Sequence, residues 1–429
     1  MNRHGGAARA NLGRRRARLI AGVLALASIT GCGSSVPVES PTSAAPTSAT
    51  SAFGPTASTA TQSPVATSST VLTAVAIAVG NDHACALTSA GGVKCWGANE
   101  YGELGIDTTD HTSHPYPADV LGLTSGVTAI AAGYFETCAA MSGAGVKCWG
   151  RNDHGQLGNG TTIDSSVPVP VVGLTSGISA LAMGETHTCA VTSGGGAVCW
   201  GWNESGALGN GSTVQSSTPV AVVGLTNGVT AVAVGQTHSC ALTSRGAVKC
   251  WGFSEQLGNG SFGIDSHTPV AVTGLGSGVT SISAGEEHTC AVTSGGGVKC
   301  WGINYWGQLG VDPKAIIGAS TPVSALGLRS SATAIAAGTR DTCALTTRGA
   351  VKCWGDNSDG ELGNGTTTSG STPVVVSGLT GATAIAAGVL MTCALMHNGA
   401  ISCWGNNTAG ELGDGTTTSR LTPVTVSLR

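Results

Sequence analysis

The chain has 429 residues, 41% of them apolar, with 67 glycines and 15 prolines, so it carries enough core-forming side chains to exclude global disorder. The glycines do not recur at every third position, which excludes collagen. Formal net charge is −4, but six of the 19 basic residues precede position 20; without residues 1–31, 13 basic and 23 acidic residues remain, giving −10. No basic stripe is visible to offset that sign, which makes nucleic acid an unexpected partner.

The N-terminus reads as an export signal. A basic stretch ends at Arg18, and an apolar run follows from Leu19 to Ile29. That run is short for a bilayer span and suits a signal peptide. It ends in Ile29-Thr30-Gly31-Cys32, which resembles the lipobox of bacterial lipoproteins. The resemblance implies that residues 1–31 are removed and that Cys32 is acylated, placing the protein on the outer face of the cytoplasmic membrane. An ordinary secretory signal with a chance cysteine is the alternative. Residues 32–70 read as a tether: they are mostly Ser, Thr, Ala and Pro, and Glu39 is the one charge. Such a segment cannot form a core. About 38 residues of flexible coil average roughly 35 Å end to end.

From residue 71 the chain repeats. Cysteines ten residues apart recur seven times: Cys85 and Cys95, Cys138 and Cys148, Cys189 and Cys199, Cys240 and Cys250, Cys290 and Cys300, Cys343 and Cys353, Cys393 and Cys403. Only Cys32 lies outside this pattern. A period of about 50 residues signals a solenoid or a propeller.

Each unit holds four strand-like pieces. In chain order they are a small alternating segment (Thr128 to Gly133), a cysteine segment (His288 to Thr293), a Val-Lys-Cys-Trp-Gly segment (Val298 to Gly302) and a Thr-Pro-Val segment (Thr268 to Val272). Pieces this short, with turn residues between them, predict all-β structure. The second and third pieces are joined by Ser-Gly-Gly-Gly or similar, so only a tight hairpin fits. Folding it about residue 295 sets Cys290 opposite Cys300, close enough for a disulfide in the non-hydrogen-bonded register. Free buried cysteines are an alternative. Zinc held by His-x-Cys-x9-Cys is another, but Glu136, Asp341 and Met391 stand at the histidine position in three units. No metal is expected.

The third-to-fourth connection is long and carries Trp149-Gly-Arg-Asn-Asp-His-Gly-Gln-Leu-Gly-Asn-Gly160 and its counterparts. The chain starts near piece one, at Val71, and stops in piece four, Pro423 to Val426. Exposed sheet edges invite aggregation, so closure by pairing the last strand with the first is expected.

Three patterns together resemble the regulator-of-chromosome-condensation repeat family: Gly-x-x-His-Thr/Ser-x-Ala, Gly-x-Val-x-x-Trp-Gly-x-Asn and Gly-x-Leu-Gly-x-Gly. The resemblance covers residues 71–429 and implies one seven-bladed β-propeller of four-stranded blades, which the seven-unit count also suggests. The founding member is a nuclear exchange factor for a small GTPase that docks on nucleosomes. An exported acidic chain meets neither partner. Secreted bacterial members, including propellers that inhibit β-lactamases, imply protein binding through loops on one face.

No Gly-x-Ser-x-Gly, His-Glu-x-x-His or P-loop occurs, so no catalytic residues and no cofactor are expected. The stretch Asp356 to Glu361 has the wrong spacing for a calcium loop. The repeated histidines read as fixed sheet residues. Positions that vary within a constant turn are freer of the fold's demands. After each Trp-Gly these include Tyr101, Arg151, His154, Trp202, Phe253, Tyr305 and Trp306. Aromatic rings and arginine on one turn face are the usual anchors of an interface. Packing of these rings against neighbouring blades is the bland alternative. A protein partner is therefore expected, with a cell-wall glycan as the second possibility and the membrane reached only through the lipid anchor. The fourth unit lacks two residues in this turn, between Trp251 and Gly258, so its loop must differ in shape.

Overall fold

A computed structural model describes residues 72–428. Cys32 and the 32–70 segment lie outside the described residues. The rest is 28 strands in seven four-stranded antiparallel meanders. Blade 1 is built from Ala74–Val79, His83–Thr88, Val93–Asn99 and Asp110–Asp119. Blades 2 to 7 span 127–170, 178–221, 229–271, 279–324, 332–375 and 382–425. The first strands surround a central channel lined by small apolar side chains such as Ala131, Ala182 and Ala336.

Each blade is one repeat unit because its strands pair in chain order. The second strand lies between two others and is buried along almost its whole length. Its cysteine faces the third-strand cysteine in register in every blade. All seven expected disulfides form. Cys85 bonds to Cys95, with Cα atoms 4.1 Å apart. Cys138 bonds to Cys148 in blade 2, and Cys189 to Cys199 in blade 3. Cys240 bonds to Cys250 in blade 4, and Cys290 to Cys300 in blade 5. Cys343 bonds to Cys353 in blade 6, and Cys393 to Cys403 in blade 7. All fourteen of these cysteines are fully buried, and because each sulfur is bonded to its partner no free thiol is left among them.

Neighbouring blades are joined by tryptophan. The Trp149 Nε1–H donates to the Glu103 carbonyl of blade 1 (2.8 Å), and Trp200 does the same to Gln156 (2.8 Å). The Leu-Gly of the long loop makes room for that ring: Gly158 has φ +68°, and a Cβ there would lie 2.7 Å from Trp200 Nε1. Every adjacent pair of blades touches, including the last with the first.

Closure differs from the sequence expectation. The last strand (Arg420–Thr425) pairs with the strand before it, and the first (Ala74–Val79) pairs with the second; they do not pair with each other. The seam is made instead by side-chain packing and by single bonds. Ala74 N–H donates to Gly399 O, Trp96 Nε1–H to Glu411 O and Gly415 N–H to Pro115 O. No strand exchange is needed, because all seven fourth strands are proline-bearing edges: Pro115, Pro168, Pro219, Pro269, Pro322, Pro373 and Pro423. Proline removes a donor and blunts the edge without covering it.

The turns between first and second strands share one face of the disc with the long third-to-fourth loops. The hairpins and the connectors between blades form the other face. In blade 4 the shortened loop becomes a single 3-10 turn, Ser254–Gln256.

Candidate binding face

The loop face has a fixed frame. In blade 2 the Asn152 side chain accepts from Leu157 N–H (2.9 Å) and donates to the Thr161 (3.1 Å) and Ile163 (3.0 Å) carbonyls. Asn357 does the same work in blade 6. The residue after each Trp-Gly is pinned as well. Arg151 N–H donates to Phe135 O, Trp202 N–H to Thr186 O and Phe253 N–H to Thr237 O. Each long loop is thereby stitched to the first turn of its own blade.

Beneath this face the repeated histidines are fully buried. His83 Nε2 lies 2.9 Å from Thr137 Oγ1 of the next blade, and the Thr137 hydroxyl donates to Glu103 O (3.0 Å). The hydroxyl proton is thus used, so the histidine is the donor and Nε2 carries the proton. Burial pushes His83 down to about 4, and His187, His238 and His288 to about 3. These rings are neutral structural links. Glu136 and Asp341 occupy the same buried position, and burial holds both carboxyls well above the usual range. Among the described residues no group of three or more His, Cys, Asp or Glu could hold a metal ion.

The seven sequence candidates all surface on the loop face, in separate groups. Tyr101 and Arg151 come together: the Tyr101 ring lies 5.1 Å from Phe135, and the Arg151 guanidinium stacks over both rings at 5.5 and 5.6 Å. Arg151 also pairs with Asp153, which has His154 on its other side. Trp202 and Phe253 are half-buried in the loops of blades 3 and 4. Tyr305 is 63% and Trp306 42% exposed, and Arg340 of blade 6 lies over the Trp306 ring at 5.5 Å.

Two further sets escaped the sequence reading. The first is in the turns between first and second strands. Tyr134 reaches over the channel mouth from blade 2 to blade 6, its hydroxyl 3.3 Å from Thr339 Oγ1. Burial and the nearby Glu286 push that hydroxyl's ionisation upward. Glu185 and Gln236 are hydrogen-bonded beside it. The second set is the loop tips: Ile163, Val214, Phe262, Ile264 and Ile317 are exposed in blades 2 to 5. Thr368 and Thr418 hold the corresponding places in blades 6 and 7. The same unit-by-unit comparison applied to these positions would have found both sets.

A pocket over blade 1 is acidic, lined by Asp82, Glu100, Glu103 and Asp110 with His111 and Phe135. Burial and then Glu100 hold Asp82 above the usual carboxylate range. No basic stripe is visible along the sequence, but the fold sorts the charge by face. Among the described residues, every Asp and Glu except Asp119 lies on the loop face or at a strand end leading into it.

Comparison with known proteins agrees with this architecture. The family model described as the regulator of chromosome condensation (RCC1) repeat matches residues 90–140, 146–191, 195–242, 245–292 and 348–395. A second model of the same repeat matches six stretches between 74 and 361. The ultraviolet-B receptor UVR8 of Arabidopsis thaliana is 32% identical over 314 residues, 71% of this chain and 70% of the receptor. The human E3 ubiquitin-protein ligase HERC2 is 32% identical over 323 residues, 73% of this chain but only 7% of the ligase. Among solved structures, Prp20p from Saccharomyces cerevisiae superposes with a TM-score of 0.67 at 21% identity, covering 83% of this chain and 87% of that one. Human WBSCR16 superposes at 0.65 and 22% identity, covering 73% and 84%. At those identities the structural likeness speaks for the fold alone. With repeats matched along most of the propeller and a relative aligned over two thirds of both chains, this chain belongs to the regulator of chromosome condensation repeat family.

Proposed function

We propose that the protein is an exported, lipid-anchored propeller that binds a protein partner through the loop face of blades 2 to 5. The observation that carries this reading is the asymmetry of that face. Aromatic and arginine side chains and apolar loop tips crowd blades 2 to 5, while threonine holds the tip positions of blades 6 and 7. A constant frame with an apolar sector on one side is the surface a protein interface uses. Seven buried disulfides fit an oxidising compartment. The Ile29-Thr30-Gly31-Cys32 sequence supports anchoring through Cys32, with residues 32–70 as the tether. Among the described residues no helix is long and apolar enough to cross a membrane.

The test is capture from culture fluid and wall extract by the immobilised mature chain. Beside it runs a variant carrying Trp202→Ala, Phe253→Ala, Tyr305→Ala and Trp306→Ala. A partner bound at least tenfold more weakly by the variant supports the reading. Equal capture places the site elsewhere. Glycan recognition is a second reading, favoured by the exposed Tyr305 ring. A tryptophan fluorescence change on adding wall fragments would select it. Palmitate labelling lost in Cys32→Ser tests the anchor.

A further inference from the structure

The hairpin face has the opposite charge. Lys147, Arg245, Lys249, Lys299, Arg329, Arg348 and Lys352 all lie at the hairpins, at the second position of a Val-Lys-Cys-Trp-Gly strand or in a connector between blades. Arg245, Arg329 and Arg348 are exposed. Among the described residues Asp119 is the only carboxylate at this end, and it pairs with Lys94 at 2.9 Å. Among the described residues the seven other cations make no salt bridge. Lys299 and Arg329 line one groove together with Thr293 and Ser324. The chain also enters the propeller here: Ala74, which opens the first strand, donates its N–H to Gly399 O in a hairpin of blade 7.

We propose that this hairpin face docks on an anionic phospholipid surface, so that the disc lies with its basic side against the bilayer and its loop face outward. The proposal rests on the anchored reading above, because the segment carrying Cys32 joins the domain on this same side. Unpaired cations facing an anionic leaflet gain attraction, roughly fivefold in partition for each one close to the surface. Uneven placement of charge sets the orientation: the acidic loop face is repelled by the surface that attracts the hairpins. The attraction falls off within a Debye length of about 8 Å at physiological salt, so by itself it gives reversible, salt-sensitive binding that adds to an anchor.

The experiment uses the mature chain from residue 32 onward with Cys32→Ser, exported behind an unrelated cleavable signal, so that no acyl group is present. It is sedimented with vesicles of phosphatidylglycerol and phosphatidylcholine, and with phosphatidylcholine alone. Binding to the anionic vesicles only, lost at high salt, is expected. The variant with Arg245→Gln, Arg329→Gln and Arg348→Gln should bind at least tenfold more weakly. No binding to anionic vesicles, or equal binding by the variant, overturns the proposal. Displacement by double-stranded DNA or poly(glycerol phosphate) more effective than by vesicles at equal phosphate also overturns it, and assigns the face to a soluble polyanion. Because the assayed chain has no thiol at position 32, failure of the anchor would leave this result intact and would show only in palmitate labelling.

Discussion

Met391 in the last blade and Ala84 in the first lie in one apolar cluster at the seam of the ring. At four other junctions the equivalent residues are a histidine and a hydroxyl, bonded at 2.7–2.9 Å. The seam has exchanged a polar link for an apolar one, and the two positions have changed together. Met391→His alone should bury an Nε2–H with no acceptor and cost about 1–3 kcal/mol. Adding Ala84→Thr supplies the hydroxyl. A double-mutant cycle by urea denaturation should therefore show favourable coupling of about 1 kcal/mol or more. Additive effects would mean that the two positions do not meet.

The carboxyls at the Leu-Gly turns govern stability on the alkaline side. Glu103, Glu361 and Glu411 are pushed up to about 7, mainly by burial. A raised carboxyl favours the folded state below the unfolded value of 4.5, and that advantage is lost as pH rises through 7. Gln156 and Gln308 fill the same place without titrating. The triple variant Glu103→Gln, Glu361→Gln, Glu411→Gln should match the parent near pH 4.5 and exceed it above pH 7 by about 1–3 kcal/mol per site. Denaturation midpoints across that range would read it.

Histidine governs the acid side. With folded values near 3 to 4 against 6.5 unfolded, the four buried rings contribute stability that is complete above pH 6.5 and lost as pH falls towards 4 and below. Each contributes a slope of about 1.4 kcal/mol per pH unit in that window. Between pH 4.5 and 6.5 the carboxyls act in the opposite sense, so the parent should be nearly flat there and fall steeply below. His238→Gln should lessen the acid fall; an unchanged acid limb would mean that the ring is not buried neutral.

Removing one disulfide should destabilise without unfolding. The loop closed by Cys240 and Cys250 has a sequence separation of 10. Chain-entropy reasoning gives about 2–3 kcal/mol for a loop of that size. Replacing both cysteines with alanine also leaves a small void inside a two-sided sheet. The expected outcome is a lower melting temperature with unchanged far-ultraviolet dichroism.

Strand number, hairpin register and cysteine pairing were all legible, because seven copies of one pattern average away the ambiguity of any single short strand. The hairpin that sets Cys138 against Cys148 is the same one that sets Cys393 against Cys403. The closure was not legible. Edge exposure argued for pairing the last strand with the first, yet Pro423 already marked that strand as a blunted edge like the other six. The candidate face was half legible. Variation after Trp-Gly exposed Arg151, Trp202 and Trp306, but Tyr134 and Phe135 sit in the turn before the second strand of blade 2 and Arg340 in the corresponding turn of blade 6, so the stacking of Arg151 on Phe135 and of Arg340 on Trp306 needed the folded blades. The charge asymmetry needed the topology, since Glu287 and Lys299 are separated by a single strand and its hairpin and belong to opposite ends of a blade.

A ring built of whole repeats, with no strand shared across its seam, has no privileged opening. The junction of blades 7 and 1 uses the same tryptophan-to-carbonyl bond as the others, and Val426 stands where Val222 begins a connector between blades. Joining residue 429 to residue 73 by a connector of ordinary length would make the chain circular in all but name. New termini cut at any connector, such as between residues 222 and 229, would then yield the same disc. Every connector lies on the hairpin face, so the choice of opening changes which blade holds the termini and not the side from which they leave.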